Sequence, residues 1–109
     1  MNKLDEVIKI GYVYKIFTNN KEYIGSTTDF SRRKEEHRKA YSRTNDKSIE
    51  SKLLYKNMRE ANGKFFMEII SILKNVTVRE LRAEEERWRI LFFEKFSRQS
   101  SELNMIKCC

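Results

Sequence analysis

Residues 12–26, YVYKIFTNNKEYIGS, constrain the fold of this chain more than any other stretch. Two runs rich in β-branched and aromatic residues, Tyr12–Phe17 and Tyr23-Ile24, flank the segment Thr-Asn-Asn-Lys. An Asn-Asn pair tolerates the left-handed backbone that a tight hairpin turn demands. The spacing therefore predicts two antiparallel strands, over about residues 10–17 and 22–26. "STTDF" then supplies N-cap candidates, and "SRRKEEHRKAYSR" continues without a breaker. A helix over about 30–42 is predicted there. On it Arg33, His37 and Tyr41 follow one another at four-residue steps along one face, with Arg32, Glu36 and Lys39 on a more solvated one.

The remainder continues in the same grammar. "TNDKS" reads as a polar loop. "SIESKLLYKNMREAN" places Leu54, Met58 and Ala61 in helical register, and Asn62-Gly63 is a C-cap. "KFFMEIISIL" predicts a strand over about 65–73. Thr77-Val-Arg-Glu80 has the capping-box pattern, so a last helix begins there, with Val78, Leu81, Trp88, Phe92 and Phe96 as its apolar stripe. "SRQSS" is expected to end that helix and "ELNMIKCC" to form a short tail. The order β-β-α-α-β-α predicts an α/β fold. Its core is a small three-stranded, mostly antiparallel sheet flanked by helices, in one domain over residues 1–109.

Charge narrows the function classes. The net charge is +7, and between Arg32 and Arg59 ten Lys and Arg stand against four Asp and Glu. Such a stretch suits a polyanion, because each phosphate neutralised releases counterions. Arg32, Lys34, Arg38, Lys39, Arg43, Lys52 and Lys56 are the candidate nucleic-acid contacts. Cys108 and Cys109 are adjacent, so they staple nothing and match no zinc-site spacing. The N-terminal "MNKLDEVIKI" carries charges where a leader needs an apolar run, and "FFMEIISIL" is too short to span a bilayer. A soluble intracellular protein, in cytoplasm or nucleus and without a membrane partner, is expected.

One residue is out of place. Glu85 lies near the centre of the apolar stripe of the last helix, four residues after Leu81 and three before Trp88. An ionised carboxylate there must pair with a cation or hold a metal. Glu84 points well away from the stripe on the same wheel, and Glu86 sits at its edge as the alternate. Taken singly, hairpin tyrosines are core aromatics, a lone histidine is a surface residue, and an Arg-Arg pair is a solvated face. Taken together with Glu85 they form a kit for phosphodiester hydrolysis. A carboxylate binds a divalent ion, an arginine places fixed positive charge on the phosphorus, and a tyrosine or histidine receives the proton of the attacking water.

These residues resemble the GIY-YIG nucleases. Tyr23-Ile24-Gly25 matches the second half of the signature literally. "YVYKI" stands at the first half, with Tyr12 in place of the glycine and Val13 and Tyr14 matching the aliphatic residue and the tyrosine. Arg33, ten residues after Tyr23, and His37, four later, match the family's helix. "LLYKNMREANGKFFMEIISIL" is similar to its middle section. "LRAEEERW", with an aromatic three residues after Glu85, is similar to the helix that carries its metal-binding glutamate, and Leu103-Asn104 to its late asparagine motif.

The resemblance implies a DNA endonuclease using one divalent ion, Mg²⁺ or Mn²⁺, held by Glu85 or alternatively by Glu86. Arg33 would stabilise the transition state. Tyr14 would activate or orient water with Tyr23 assisting, or the two roles would be exchanged. His37 would contact the phosphate or move a proton, with Gly25 and Asn104 in support. The substrate would be double-stranded or branched DNA. With no room for an appended recognition domain, selectivity would come from DNA structure, from weak contacts by the basic helices, or from a homodimer or a partner protein. Two other classes are a basic nucleic-acid-binding module without catalysis and a domain whose basic face meets an acidic protein.

Overall fold

The computed structural model describes residues 3–42 and 49–107, with residues 49–51 and 93–107 described as backbone. After a 3-10 turn at Lys3–Asp5 come β1 (Val7–Thr18), β2 (Lys21–Thr27), α1 (Phe30–Ala40), α2 (Ile49–Glu60), β3 (Phe66–Thr77) and α3 (Val78–Lys107). The fold is α/β, with a three-stranded sheet ordered β2-β1-β3 and both pairings antiparallel. Arg43 and the Cys108-Cys109 pair lie outside the described residues.

The hairpin forms as its turn chemistry requires. Asn19 and Asn20 take φ of 52° and 61°, so the two-residue connection has the left-handed backbone whose twist suits the flanking strands. Thr18 pairs with Lys21, and from that point the register runs to Tyr14 opposite Gly25 and Val13 opposite Ser26. On the other side of β1 the register slips by one residue between Val13 and Tyr14, leaving Ile70 of β3 as a bulge beside Tyr14. Buried Thr18 donates from Oγ1 to the Lys64 carbonyl at 2.8 Å, tying the hairpin end to the loop before β3.

Alternation along β1 separates two packing layers. Tyr14 and Ile16 point toward α1 and α2 and join Ala40, Leu54, Tyr55, Met58 and Met67 in the main core. Gly11 faces the other way: a Cβ there would stand 2.9 Å from a Leu81 methyl, so α3 packs close against this strand. Val13 lies on that second face, fully buried. Its register partners on the flanking strands are Ser26 and Ser71, and these two serines reach the glutamates of α3.

The helix termini follow local rules. Asp29 caps α1 by accepting from the Arg32 backbone N–H at 3.0 Å. Asn62 and Gly63 close α2 in left-handed conformation, with the Gly63 N–H reaching the Met58 carbonyl at 2.7 Å. At α3 the capping box is reciprocal. Glu80 N–H donates to Thr77 Oγ1 at 3.1 Å, and Thr77 N–H donates to Glu80 Oε1 at 3.0 Å.

The structure departs from expectation at two ends. β3 continues to Thr77 rather than stopping near residue 73, because it stays paired with the early part of β1 as far as Val7. The helix begun at Val78 does not end at the Ser-rich segment but runs to Lys107, since that segment contains neither Gly nor Pro to stop it. Among the described residues no helix is long and apolar enough to cross a membrane.

Leu81 is the buried contact between α3 and the sheet. Leu81→Ala is expected to lower unfolding free energy by ~2–5 kcal/mol, measured by urea denaturation, because the close approach at Gly11 leaves a cavity that cannot collapse freely.

Candidate active site at the outer edge of β2

Gly25 and Ser26 are small residues on the outer strand of the sheet, and side chains from both faces meet around them. On the helical face, the ring of Tyr14 lies across its register partner Gly25, where a Cβ would come 2.5 Å from Tyr14 Oη. Any residue but glycine would push the ring away. On the opposite face, α3 brings Glu85 to the neighbouring position, where Ser26 Oγ donates to Glu85 Oε1 at 2.6 Å. The result is a cavity of about 580 Å³ lined by Tyr14, Tyr23, Gly25, Arg33, His37 and Glu85. Ser26, Lys21, Arg89 and Phe92 also form part of its wall.

The central polar groups of the wall are held in place. Arg33 Nε donates to Tyr14 Oη at 3.4 Å, and its NH1 donates to Glu36 at 2.9 Å. Burial alone would push the Arg33 guanidinium down, but these hydrogen bonds outweigh it and hold the cation charged. Tyr14 is 4% exposed and His37 3%. His37 Nε2 lies 3.1 Å from Tyr14 Oη, and its Nδ1 lies 3.1 Å from Tyr55 Oη. Burial, with the Arg33 charge beside it, lowers the His37 pKa to about 4, so the imidazole is neutral at physiological pH. Burial also pushes the phenols of Tyr14 and Tyr23 up, keeping both protonated. Asn57 Nδ2 donates to Tyr23 Oη at 2.5 Å, and Asn19 of the hairpin turn donates to Asn57 Oδ1 at 2.9 Å.

The three consecutive glutamates of α3 separate by environment. Glu85 is 20% exposed, with Ser26 on one oxygen and Arg89 NH2 on the other at 2.8 Å. Glu86 is 56% exposed, faces away from the cavity and takes the second arm of Arg89 at 3.0 Å. Glu84 is not the outward residue that the helical wheel suggests. It is 16% exposed and accepts from Ser71 Oγ at 2.9 Å and from the Trp88 indole at 3.4 Å. The physical reason is the breadth of the docked face: α3 lies across the Ser26–Val13–Ser71 row, so two adjacent helix positions meet the sheet.

Among the described residues no three His, Cys, Asp or Glu side chains gather to cage a metal ion. A single carboxylate on a polar cavity wall nevertheless fits Mg²⁺ or Mn²⁺. Such ions commonly keep several waters and bind through one or two carboxylates together with substrate phosphate oxygens. Glu85 with the neighbouring Ser26 hydroxyl is the donor set on offer, and Arg89 is the cation that now neutralises it.

Other expected site residues lie elsewhere. None of Arg32, Lys34, Arg38, Lys39, Lys52 and Lys56 lines the cavity; they stand exposed on α1 and α2. Arg32 is ion-paired with Glu36, and Arg38 with Glu35. Asn104 is not beside the cavity. It sits on the uninterrupted α3, nineteen residues past Glu85 and so about 28 Å farther along the axis, because no break after residue 96 turns the chain back. Conversely, Tyr55, Asn57, Ser26 and Arg89 belong to the site without having been singled out. Only the Glu85–Arg89 pair had a readable signal, its four-residue helical spacing.

Gly25→Ala is expected to displace the Tyr14 ring and cost about 1–3 kcal/mol of stability, measured by thermal or urea unfolding. His37 also sets a pH dependence. The unfolded chain protonates it below about pH 6.5, whereas the folded chain does so only near 4. The unfolded state therefore binds more protons in that window, and stability falls as pH drops through it, by about 3 kcal/mol in total. Urea titrations between pH 7 and pH 4 should show this slope in the wild type and lose it in His37→Asn. Compared with protein-family models, curated proteins and solved structures, the chain matches none.

Proposed function

We propose that this protein is a divalent-metal-dependent endonuclease of the GIY-YIG type, hydrolysing DNA phosphodiester bonds in the cavity at the edge of β2. One observation supports this reading above the rest. Tyr14, Tyr23, Arg33, His37 and Glu85, spread over residues 14–85 and borne on β1, β2, α1 and α3, line a single cavity. Core packing alone has no need to gather two phenols, a neutral imidazole, a charged guanidinium and a carboxylate around one space.

The roles follow from the chemistry of each group. Arg33, held charged, stabilises the negative charge that grows on the equatorial oxygens of the phosphorus. Tyr14 orients the attacking water, and Tyr23, fixed by Asn57, assists on the same wall. A divalent ion on Glu85 would polarise the phosphate and ease departure of the leaving oxygen. The lysines on the outer faces of α1 and α2 supply sequence-independent attraction to the DNA backbone, double-stranded or branched.

The pairing of Arg89 with Glu85 favours a second reading, in which the carboxylate is a structural ion pair and the domain binds nucleic acid without cutting it. The two readings part on experiment. Under the nuclease reading, Glu85→Gln and Arg33→Ala abolish cleavage of plasmid, flapped or branched DNA in Mg²⁺ or Mn²⁺ while circular dichroism and melting remain close to wild type. Full activity in both variants excludes the proposed site. Arg89→Met, which removes the competing cation, is expected to tighten Mn²⁺ binding to the ion-free protein, as measured by calorimetry.

A further inference from the structure

From the cavity wall inward, Arg33, Tyr14, His37 and Tyr55 form an unbroken hydrogen-bonded row, at 3.4, 3.1 and 3.1 Å. Tyr55, on α2, is 5% exposed and does not line the cavity. We infer that Tyr55 is a positioning residue that holds His37 in the Nδ1–H tautomer, so that Tyr14 donates its proton to His37 Nε2 and keeps a lone pair facing the cavity. Where that lone pair accepts a hydrogen bond from the attacking water, the inference rests on the nuclease reading above.

The direction of the row follows from what each group can do. A guanidinium only donates, so Arg33 occupies one lone pair of the Tyr14 oxygen. A neutral imidazole carries one N–H, and two arrangements are open to it. If Nε2 bore the proton, Tyr14 Oη would face two donors, both lone pairs would be spent, and its own proton would point into the cavity. The Nε2–H dipole would also be aimed at the same oxygen as the Arg33 cation, which is electrostatically unfavourable. If Nδ1 bears the proton, a phenol polarised by a cation donates to a bare Nε2, and each bond strengthens the next. That second arrangement requires an acceptor at Nδ1, and the Tyr55 oxygen is there at 3.1 Å. The Tyr55 hydroxyl can donate as well as accept, so the choice is made at the Tyr14 oxygen, where the Arg33 cation favours the arrangement in which Tyr55 accepts from Nδ1–H and Tyr14 presents an acceptor to the cavity. An acceptor is what an attacking water needs.

His37 is the only histidine in the sequence, so ¹⁵N-resolved NMR of a histidine-labelled sample reports this ring alone. At pH 7 the wild-type spectrum should show a protonated Nδ1 and a bare, hydrogen-bonded Nε2. Tyr55→Phe keeps the ring packing and deletes the acceptor. It should shift the tautomer balance toward Nε2–H and lower kcat for DNA cleavage roughly two- to tenfold, with KM unchanged. In a Tyr14→Phe background the same substitution should leave residual kcat unaltered, whereas a merely structural role would subtract again. A wild-type ring in the Nε2–H form overturns the inference without need of any variant, and so does a folded Tyr55→Phe protein with unchanged tautomer and kcat. A wild-type protein that shows the Nδ1–H tautomer yet cleaves no DNA supports the hydrogen-bond polarity and overturns the nuclease reading.

Discussion

The register of the β1–β2 hairpin is the constraint on which the site depends. Asn19 and Asn20 close the turn in left-handed conformation, and that closure sets Tyr14 opposite Gly25. Side chains alternate along a strand, so a slip of one residue would turn Tyr14 to the other face and bring Val13 beneath α1. With the register as it is, the missing Cβ of Gly25 lets the Tyr14 ring lie across the outer strand. There it meets Arg33 and His37, which α1 presents from four-residue spacing.

The outer strand also explains how a carboxylate from the far side of the sheet joins the same cavity. α3 packs on the face that carries Gly11 and Val13, not on the face that carries Tyr14. A central strand would separate the two. β2 is at the margin, and its Gly25-Ser26 pair is small enough for the Tyr14 ring on one side and the Glu85 carboxylate on the other to border one space. Electrostatics then differentiates the groups. Hydrogen bonds keep Arg33 charged, burial beside that charge keeps His37 neutral, and Arg89 balances Glu85. The cavity is thus bordered by a fixed cation, a neutral hydrogen-bonding row and a carboxylate.

Much of this was legible along the chain, for local reasons. The Asn-Asn turn, the Asn-Gly cap and the Thr77–Glu80 box depend on residues within a few positions of one another, and each formed as its local chemistry demands. Glu85 stood out because a charge on an apolar stripe contradicts the pattern around it. What failed was non-local. Glu84 was placed outward on a helical wheel that assumes a narrow contact, and the breadth of the sheet under α3 brought it against Ser71. The "SRQSS" segment looked polar enough to end a helix, yet polarity alone does not stop one, and Asn104 went with the helix away from the site.

The amino-acid order by itself determined the elements, their succession, the hairpin register and the spacing that puts Arg33 and His37 on one helical face. These follow from backbone sterics, capping and periodicity, all of which act over a few residues. Only the tertiary structure decided that Tyr55 stands behind His37, that Ser26 receives Glu85, and that two faces of the sheet share one cavity. Those contacts join residues 18 and 59 positions apart, and no local rule connects them. They exist because a three-stranded sheet has an outer strand close to every residue on both of its faces, and this one carries a glycine and a serine where the side chains converge.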